Sequence, residues 1–241
     1  KFFKIQNHIN SENIQEKYNL LINLNFSNLI TKKFFSKKII KKYKSLAYTV
    51  ILKHEKINNN IASQIFTKIG PLAFLPISNT ETSIVYSIKN SANVKKENLI
   101  KLINLHNSIY KIKKIKKISS FELSSMNLRQ YFYKNILAFG ELTHKIHPLA
   151  GQGFNMTIRD IKSLSSILDE DIKLGIDDGE LIAQKFQEKN KHLNYMYGLG
   201  IDALNSFFKL DNKLENNLSD PIFKILKNNK FLNKYATMLS N

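Results

Sequence analysis

The sequence predicts an α/β protein. Within this chain the strands and helices are segregated, as in an α+β protein. Three patterns lead to this prediction. A short apolar run at 136–139 precedes a loop with two glycines and an amphipathic segment from Phe154, which indicates a strand, a loop and a helix. Residues 44–55, 61–67 and 83–88 alternate apolar and polar side chains, as half-buried strands do. Residues 180–209 carry apolar side chains at helical spacing and predict a long C-terminal helix.

Length and composition are those of a globular protein. The 241 residues are enough to bury a good core, and 43% of them are hydrophobic. No apolar run approaches the roughly 20 residues that a membrane-spanning helix needs. The chain has no cysteine, so disulfides and thiolate metal sites are excluded. It begins Lys-Phe-Phe-Lys, without an initiator Met or a signal-peptide pattern, so we expect it to start part-way along a longer protein.

The net charge of +18 is open to three interpretations. A basic surface can bind nucleic acid, contact an anionic membrane, or be only a solvated surface rich in lysine. All 37 basic residues other than Arg129 and Arg159 are lysines, whereas proteins that read bases or grip phosphates rely on arginine. We therefore favour a solvated surface and expect no nucleic-acid partner. The predicted location is cytoplasmic, with peripheral contact on the inner membrane as the alternative.

The first half of the chain predicts a buried strand followed by a sheet. Residues 18–23 form an apolar run that suits the buried strand. The sheet strands at 44–55 and 61–67 are separated by a turn at 58–60, and segments 70–77 and 83–88 complete the series. Helical spacing at 96–110 is followed by alternating lysine and isoleucine at 111–118, which predicts an exposed edge strand.

The second half of the chain predicts a ligand loop and two helical regions. Gly151 and Gly153 lie just before the predicted helix, and backbone amides at such a helix start face anionic or electron-rich ligands. A turn at 174–179 leads to the long helix, and residues 220–239 predict one or two short helices. The aromatic stripe of this C-terminal region could be core or membrane anchor, and we favour core.

The central loop also carries a specific resemblance to a known family. Gly140-Glu141-Leu142-Thr143-His144, His147-Pro148-Leu149-Ala150-Gly151-Gln152-Gly153, Asn155 and Arg159-Asp160 resemble the second FAD-binding motif of aromatic-ring flavin monooxygenases. Within that superfamily the sequence resembles the ubiquinone-biosynthesis hydroxylases in particular, from about residue 18 to the end. The resemblance implies the FAD-binding fold of p-hydroxybenzoate hydroxylase, with an antiparallel substrate-domain sheet and C-terminal helices.

The resemblance divides the chain into four parts. Residues 1–40 would be the tail of the FAD-binding domain, and residues 41–128 the substrate-binding sheet domain. A family-like Phe121-Glu122-Leu123 would return the chain to the FAD-binding domain, whose next segment is 129–172. Residues 173–241 would be the C-terminal helical region.

The resemblance also assigns residues to the site. Glu141 would accept hydrogen bonds from the ribityl hydroxyls of FAD, where the family has Asp, and Pro148 would line the oxygen-reactive face. It implies catalytic roles for Pro148 and His147. The implied cofactor-binding residues are Gly140, Glu141, His144, Pro148, Leu149, Ala150, Gly151, Gln152, Gly153, Phe154 and Asn155.

The resembled enzymes use NAD(P)H to reduce FAD and then use oxygen to hydroxylate a phenol ring. The resemblance therefore implies an FAD-dependent monooxygenase that acts on a prenylated phenol in ubiquinone biosynthesis, with FAD and NAD(P)H as cofactors. Gly70, Pro71 and Leu72 would lie in the wall of the substrate pocket. Other ubiquinone-biosynthesis proteins would be its partners.

Two departures from the family pattern favour an alternative. Where the family has Gly-x-Asp-Gly followed by Arg, this chain has Asn23, Asn25-Phe26 and then Thr31 or Lys32. The 8 glycines nowhere form the Gly-x-Gly-x-x-Gly loop that holds the ADP half of FAD, so the chain resembles the C-terminal portion of such an enzyme. The alternative is a degenerate, non-catalytic relative that binds a prenylated quinone or a partner enzyme.

Three roles are open to His144 and His147. We assign them no metal, because no third ligand stands nearby at a suitable spacing. Acid–base chemistry is open to either histidine. We favour a structural role in bracing the loop, and we expect Arg159-Asp160 to tie its helix to neighbouring elements.

Overall fold

The computed structural model describes residues 18–89, 94–147 and 152–214. The strands are β1 (Leu21–Asn23), β2 (Lys38–His54), β3 (Ser63–Thr67), β4 (Gly70–Ser78), β5 (Glu81–Lys89), β6 (Ile112–Leu128), β7 (Phe132–Tyr133), β8 (Ile136–Ala138) and β9 (His144–Lys145). The helices are α1 (Leu29–Phe34), α2 (Lys96–Leu105), α3 (Gln152–Lys173) and α4 (Gly179–Leu214), with a 3₁₀ turn at Gly140–Leu142. The predicted helices at 220–239 lie outside the described residues.

The larger sheet has six strands in the order β3-β4-β5-β2-β6-β9, and each neighbouring pair is antiparallel. This sheet is the predicted antiparallel sheet. Two of its strands, β2 and β6, are longer than the predicted segments 44–55 and 111–118. β2 begins at Lys38 because the solvent-exposed stretch before Tyr43 pairs with the end of β6. Phe121 lies in the middle of β6, opposite Ala47, so the family-like Phe121-Glu122-Leu123 is part of the sheet, and the chain leaves the sheet after Leu128.

One face of this sheet forms a core with α2. Leu99 and Ile103 on the helix are buried against the sheet side chains, and the burial of apolar surface holds the layers together. The helix ends at Leu105, five residues before the predicted end, since Asn107 forms side-chain hydrogen bonds with both backbone groups of Tyr110. The sheet contributes Tyr48, Val50, Leu52, Leu72, Phe74, Ile84, Tyr86 and Ile88 to this core.

A second core surrounds the small sheet, whose order is β1-β8-β7. All three residues of β8 are buried, which confirms the strand predicted from the apolar run. α3 and α4 cover this sheet with Leu164, Ile167, Ile182, Ala183 and Phe186. The predicted C-terminal helix is confirmed as α4. Its first turns bury Ile182, Ala183 and Phe186 in this core, whereas Leu193, Met196 and Leu199 further along are about half exposed, so core against membrane anchor stays a prediction for that part of the helix.

The overall architecture is the predicted α/β class, with the antiparallel sheet and the C-terminal helices of the resembled fold. The sequence did not predict α1, because its six residues are too few to show a helical period. Among the described residues, no helix is both long and apolar enough to cross a membrane.

Candidate functional site

The parallel strands β1 and β8 end side by side, and we refer to the space beyond their carboxyl ends as the crevice. Asn23 is paired with Ala138, and both chains leave the sheet at the same edge. The backbone N–H of Phe139 donates to the carbonyl of Asn23 at 3.0 Å. Gly140 follows with a φ of +65°, in the left-handed region, and a Cβ there would lie 3.5 Å from the Leu24 side chain. Ligands of α/β proteins bind outside the carboxyl ends of such strands.

The 3₁₀ turn after β8 carries an exposed carboxylate. Thr143 is fully buried and donates to the Gly140 carbonyl from both its backbone N–H, at 3.0 Å, and its hydroxyl, at 2.7 Å. These two bonds fix the turn, while the side chain of Glu141 within it is exposed. An exposed carboxylate on a fixed turn can accept hydrogen bonds from hydroxyl groups of a ligand.

The other side of the crevice is a turn made largely of asparagine side chains. Asn25 Oδ1 accepts from the Ser27 N–H at 2.8 Å, the Ser27 hydroxyl at 3.0 Å and the Asn28 N–H at 3.2 Å. Asn28 caps α1 by accepting from the Thr31 N–H at 2.9 Å, and it donates to Asn23 Oδ1 at 2.8 Å. The residues that depart from the family pattern therefore form a well-bonded turn in this chain.

α3 starts beside Ile146 and has no negative charge in its first turn. Its first turn contains no acidic residue, so its positive end is not compensated by its own side chains. Phe154 in this turn is 71% exposed, and Gly153 and Asn155 are partly buried. Pro148, Leu149, Ala150 and Gly151 lie outside the described residues, and so does the side chain of Gln152.

His147 lies where the large sheet meets α4. Its ring is buried and packs edge-on against Tyr43 of β2, with ring centroids 4.9 Å apart. The Tyr43 hydroxyl donates to Asp202 of α4, which also accepts from Lys41 Nζ at 2.7 Å. Burial, and then the hydrogen bond to Asp202, raise the pKa of Tyr43 well above its ordinary value of 10.0. The sheet and the helix are thus joined beside His147.

His144 points away from solvent and binds Asp160. Its Nε2 lies 2.8 Å from Asp160 Oδ2, and both side chains are almost completely buried. Arg159 donates to Asn194 of α4, and Asn194 Nδ2 donates to Asp160 at 3.1 Å. This geometry fits a bracing role for His144 and confirms that Arg159 and Asp160 tie α3 to its neighbours. The role of His144 in cofactor binding stays a prediction.

The three predicted pocket residues on β4 lie in different environments. Leu72 is fully buried in the core with α2, so its side chain does not face the crevice. A Cβ on Gly70 would lie 1.9 Å from the Ser87 carbonyl oxygen, so this glycine is required by close backbone packing. Pro71 is on the other face of the sheet, beside its pairing partner Phe66.

Phe66 connects that face to the segments around the loop. It packs against a small apolar cluster formed by Ile146, Met156, Tyr197 and Ile201. The face that carries Pro71 therefore faces the residues just before and after the ligand loop. In the part of the chain that the structure describes, no group of three His, Asp or Glu side chains is placed to hold a metal ion.

Solved structures with this architecture define the class of fold. The chain aligns with OxyS, an anhydrotetracycline hydroxylase from Streptomyces rimosus, with a TM-score of 0.61 and 15% identity over 85% of this chain and 42% of that chain. It aligns with PqsL from Pseudomonas aeruginosa in complex with 2-aminobenzoylacetate with a TM-score of 0.63 and 16% identity, over 81% of this chain and 57% of that chain. The fold is that of the flavin-dependent aromatic hydroxylases.

The sequence places the chain more closely within this class. Residues 21–183 match the family described as FAD binding domain, and the chain belongs to that family. The expectation of an FAD-binding protein is thereby confirmed.

Curated relatives carry names from ubiquinone biosynthesis. A ubiquinone biosynthesis monooxygenase COQ6 of Dictyostelium discoideum is 27% identical over 183 residues, which are 60% of this chain and 37% of that protein. The 3-demethoxyubiquinol 3-hydroxylase of Escherichia coli is 30% identical over 112 residues, 44% of this chain and 28% of the enzyme. The chain thus spans less than half the length of these relatives. They agree with the resemblance seen in the central loop.

Several residues around the site had no signal in the sequence. Tyr43 and Asn194 contact His147 and Asp160 from distant parts of the chain, and Asp202 accepts a hydrogen bond from Tyr43. Tyr43 and Asp202, for example, are 159 residues apart. Only the packing of the sheet against α4 brings such residues together.

Proposed function

We propose that the protein containing this chain is an FAD-dependent monooxygenase that hydroxylates the ring of a prenylated phenol in ubiquinone biosynthesis, using NAD(P)H and oxygen. The observation that carries the proposal is the exposed carboxylate of Glu141 on a fixed turn at the carboxyl ends of β1 and β8. In a chain of the FAD binding domain family, this is where hydroxyl groups of the cofactor would be recognised. The names of the curated relatives support the substrate class.

The residues at the crevice fit FAD by their chemistry. Glu141 offers acceptor oxygens for the ribityl hydroxyls, and its carboxylate replaces the Asp of the resembled family with one additional methylene. The start of α3 offers backbone N–H groups with no acidic side chain to compete for them, which suits the electron-rich edge of the flavin ring. Pro148, Leu149, Ala150 and Gly151 remain predicted contacts, as do Gln152, Gly153, Phe154 and Asn155.

FAD, when bound, would take electrons from NAD(P)H and use oxygen to hydroxylate the ring. The chain's own residues would bind and orient the ring and keep water away from it. We place the substrate against the sheet face that carries Pro71, because this face is turned toward Ile146 and Met156. Leu72 would support that face from the core without touching substrate. Pro148 and His147 are the proposed catalytic positions.

A prenylated phenol partitions into membranes, so the enzyme would have to collect it at a membrane surface. We therefore propose a cytoplasmic protein in peripheral contact with the inner membrane, and other ubiquinone-biosynthesis proteins as partners. The lysine-rich surface, with its net charge of +18, would favour contact with anionic lipids.

The first test of the proposal is flavin content. The chain is expressed together with all coding sequence that precedes Lys1 in frame, purified without added cofactor, and examined for the visible absorbance of FAD. We expect bound FAD that is reduced when NADH or NADPH is added. A protein that carries no FAD, and takes up none when it is supplied, would contradict the proposal.

Variants of Glu141 then test the residue on which the proposal rests. Glu141→Ala should weaken FAD binding by about 10-fold or more, because it removes a charged acceptor. Glu141→Asp should retain FAD affinity, because the carboxylate remains. Glu55→Ala is the matched control: it removes an exposed glutamate from the large sheet's far end and should leave FAD affinity unchanged.

A second candidate function is favoured by the turn after β1. Asn23 and Asn25 stand where the resembled family has Gly and Asp, and they are used to bond the turn internally. A non-catalytic relative that binds a prenylated quinone or a partner enzyme would tolerate this change. Expression in a strain that lacks the ring hydroxylase separates the two: restored ubiquinone synthesis excludes the non-catalytic protein.

A further inference from the structure

A buried polar cluster fastens β9, α3 and α4 to one another. We call it the Asp160 cluster; its members are Tyr131, His144, Arg159, Asp160 and Asn194. Asp160 is fully buried at its centre, with His144 Nε2 at 2.8 Å, Asn194 Nδ2 at 3.1 Å and Arg159 Nη2 at 3.4 Å. A carboxylate buried this deeply is tolerated only because these donors surround it.

The imidazole of His144 depends on Asp160 for its orientation. Nδ1 is buried and has no hydrogen-bond partner among the residues that the structure describes, so Nε2 makes the only hydrogen bond of the ring there. Because a carboxylate oxygen only accepts, Nε2 must carry the proton in this bond. Removal of the Asp160 carboxylate would leave the ring without a tether.

Arg159 extends the cluster to α4 through its planar guanidinium group. It donates to Asn194, and its guanidinium carbon lies 5.7 Å from the centre of the Tyr197 ring. The hydrogen bonds of Arg159 to Asn194 and to Asp160 both come from Nη2, and the one to Asp160 is 3.4 Å long. A guanidinium group can donate to two acceptors and lie over an aromatic ring at the same time, which fits arginine at this position.

The cluster reaches both chain segments that flank residues 148–151. His144 lies three residues after Glu141 and three before His147. Asp160 lies two helical turns after Gly153, on the same side of α3, since seven residues are close to two turns. The hydrogen bond between His144 and Asp160 therefore joins the segment before the proposed flavin loop to the helix that follows the loop.

We propose that His144 and Asp160 form a positioning pair, with Arg159 fixing the pair to α4. The pair keeps the segments before and after residues 148–151 in the positions that FAD binding requires. The inference rests on the proposed function, since it assumes that the flavin binds here. The pair does not itself touch the reacting atoms. Removal of the pair should raise the Kd for FAD while the fold stays stable enough to be measured.

The structure supplies a matched control in a second link between the same two helices. Asp171 is also almost completely buried on α3, and Lys185 of α4 donates to it at 2.5 Å. This link lies 11 residues further along α3, at the end away from the loop. Loss of either carboxylate should cost similar stability, whereas only the Asp160 pair should affect the loop.

The experiment compares Asp160→Ala with Asp171→Ala in the protein expressed with all coding sequence that precedes Lys1; Ala leaves no acceptor for His144 Nε2–H. Three quantities are measured: unfolding by urea, the dissociation constant of FAD, and amide hydrogen exchange at 140–143 and 153–155. We expect similar losses of stability, but a Kd for FAD raised about 10-fold or more, with faster exchange in both segments, only in Asp160→Ala. Equal FAD affinity and equal exchange in the two variants would overturn the proposal.

Two further variants keep the test decisive if Asp160→Ala does not fold. His144→Gln retains an N–H that can donate to Asp160 and should bind FAD within about 3-fold of the unchanged protein, whereas His144→Ala should bind at least about 10-fold more weakly. Equal FAD affinities of these two variants overturn the pair. Absence of FAD binding in the unchanged protein would instead refute the proposed function. Hydrogen exchange at 140–143 and 153–155 would still show whether the pair positions these two segments.

Discussion

At some positions of this molecule the surrounding contacts require one particular type of residue. Gly70 illustrates a backbone constraint: its φ is +145°, and a Cβ would lie 1.9 Å from the Ser87 carbonyl oxygen. Asp160 illustrates a buried charge that is surrounded by donors from His144, Asn194 and Arg159. The first constraint belongs to the sheet and the second to the proposed flavin loop, so their substitution should have different consequences.

Gly70→Ala should destabilise the large sheet by roughly 2–4 kcal/mol, because the added Cβ meets backbone atoms that cannot move aside. Gly175→Ala is the matched control, since Gly175 also has a positive φ, of +73°, but nothing lies within 4 Å of its Cβ position. It should cost about 1 kcal/mol. Urea unfolding measures both. Equal costs would show that backbone conformation, and not the contact with Ser87, decides the requirement for glycine.

The start of β4 shows what strand alternation leaves undecided. Gly70, Pro71 and Leu72 were predicted as pocket wall from resemblance, yet only Pro71 lies on the face turned toward Ile146 and Met156. Alternation along β4 places neighbours on opposite faces, but it does not say which face is covered by α2. That choice is made by the packing of the helix.

At the scale of elements, the turn between β1 and α1 shows how a changed motif can retain its geometry. Asn25 stands where the family has Asp, and its Oδ1 accepts the hydrogen bonds of the Ser27 N–H, the Ser27 hydroxyl and the Asn28 N–H. A carboxylate could accept the same three bonds. The sequence showed the loss of the acid, while the structure shows that the acceptor remains.

Asn25→Asp should therefore leave stability at pH 7 unchanged or raise it by up to about 1 kcal/mol, since the new charge lies near the N-terminus of α1. Asn25→Ala should lower stability by about 1–2 kcal/mol through the lost bonds. Thermal or urea unfolding of the three proteins gives the comparison. If the Asp variant were as unstable as the Ala variant, the turn would be specific for the amide and the motif would have changed in geometry as well.

At the scale of the whole molecule, buried tyrosines lie both inside the cores and at the junctions between elements. Tyr86 lies in the core of the large sheet, Tyr43 at its junction with α4, and Tyr131 and Tyr197 beside the Asp160 cluster. Burial is the first cause that raises the pKa of each of these four phenols above 10.0. For Tyr131, which is 1% exposed, it raises the pKa to about 12.

Stability should therefore fall in alkali. A tyrosine whose pKa is higher in the folded protein keeps its full contribution below the unfolded value of 10.0, and loses it as the pH rises toward the folded value, about 12 for Tyr131. Within that interval Tyr131 alone should remove about 1.4 kcal/mol per pH unit. Urea unfolding at several pH values measures the slope.

Tyr131→Phe is the control for this prediction. It retains every lysine, so the titration of lysines affects both proteins equally, and its loss of stability with pH should be less steep. An identical slope in the two proteins would mean that Tyr131 does not resist ionisation in the fold. Tyrosinate absorbance should appear together with unfolding and not before it.

The sequence by itself determined the family, the class of fold and the main elements. The motif around Gly140 and Gly151 is contiguous, and the periods of strands and long helices are local, so both can be recognised without any distant contact. Tertiary structure decided what the site residues touch: His144 on Asp160, His147 on Tyr43, and Pro71 on the inner face of the sheet. These contacts join segments far apart in the chain, and their partners are chosen by the packing of layers, which no local pattern encodes.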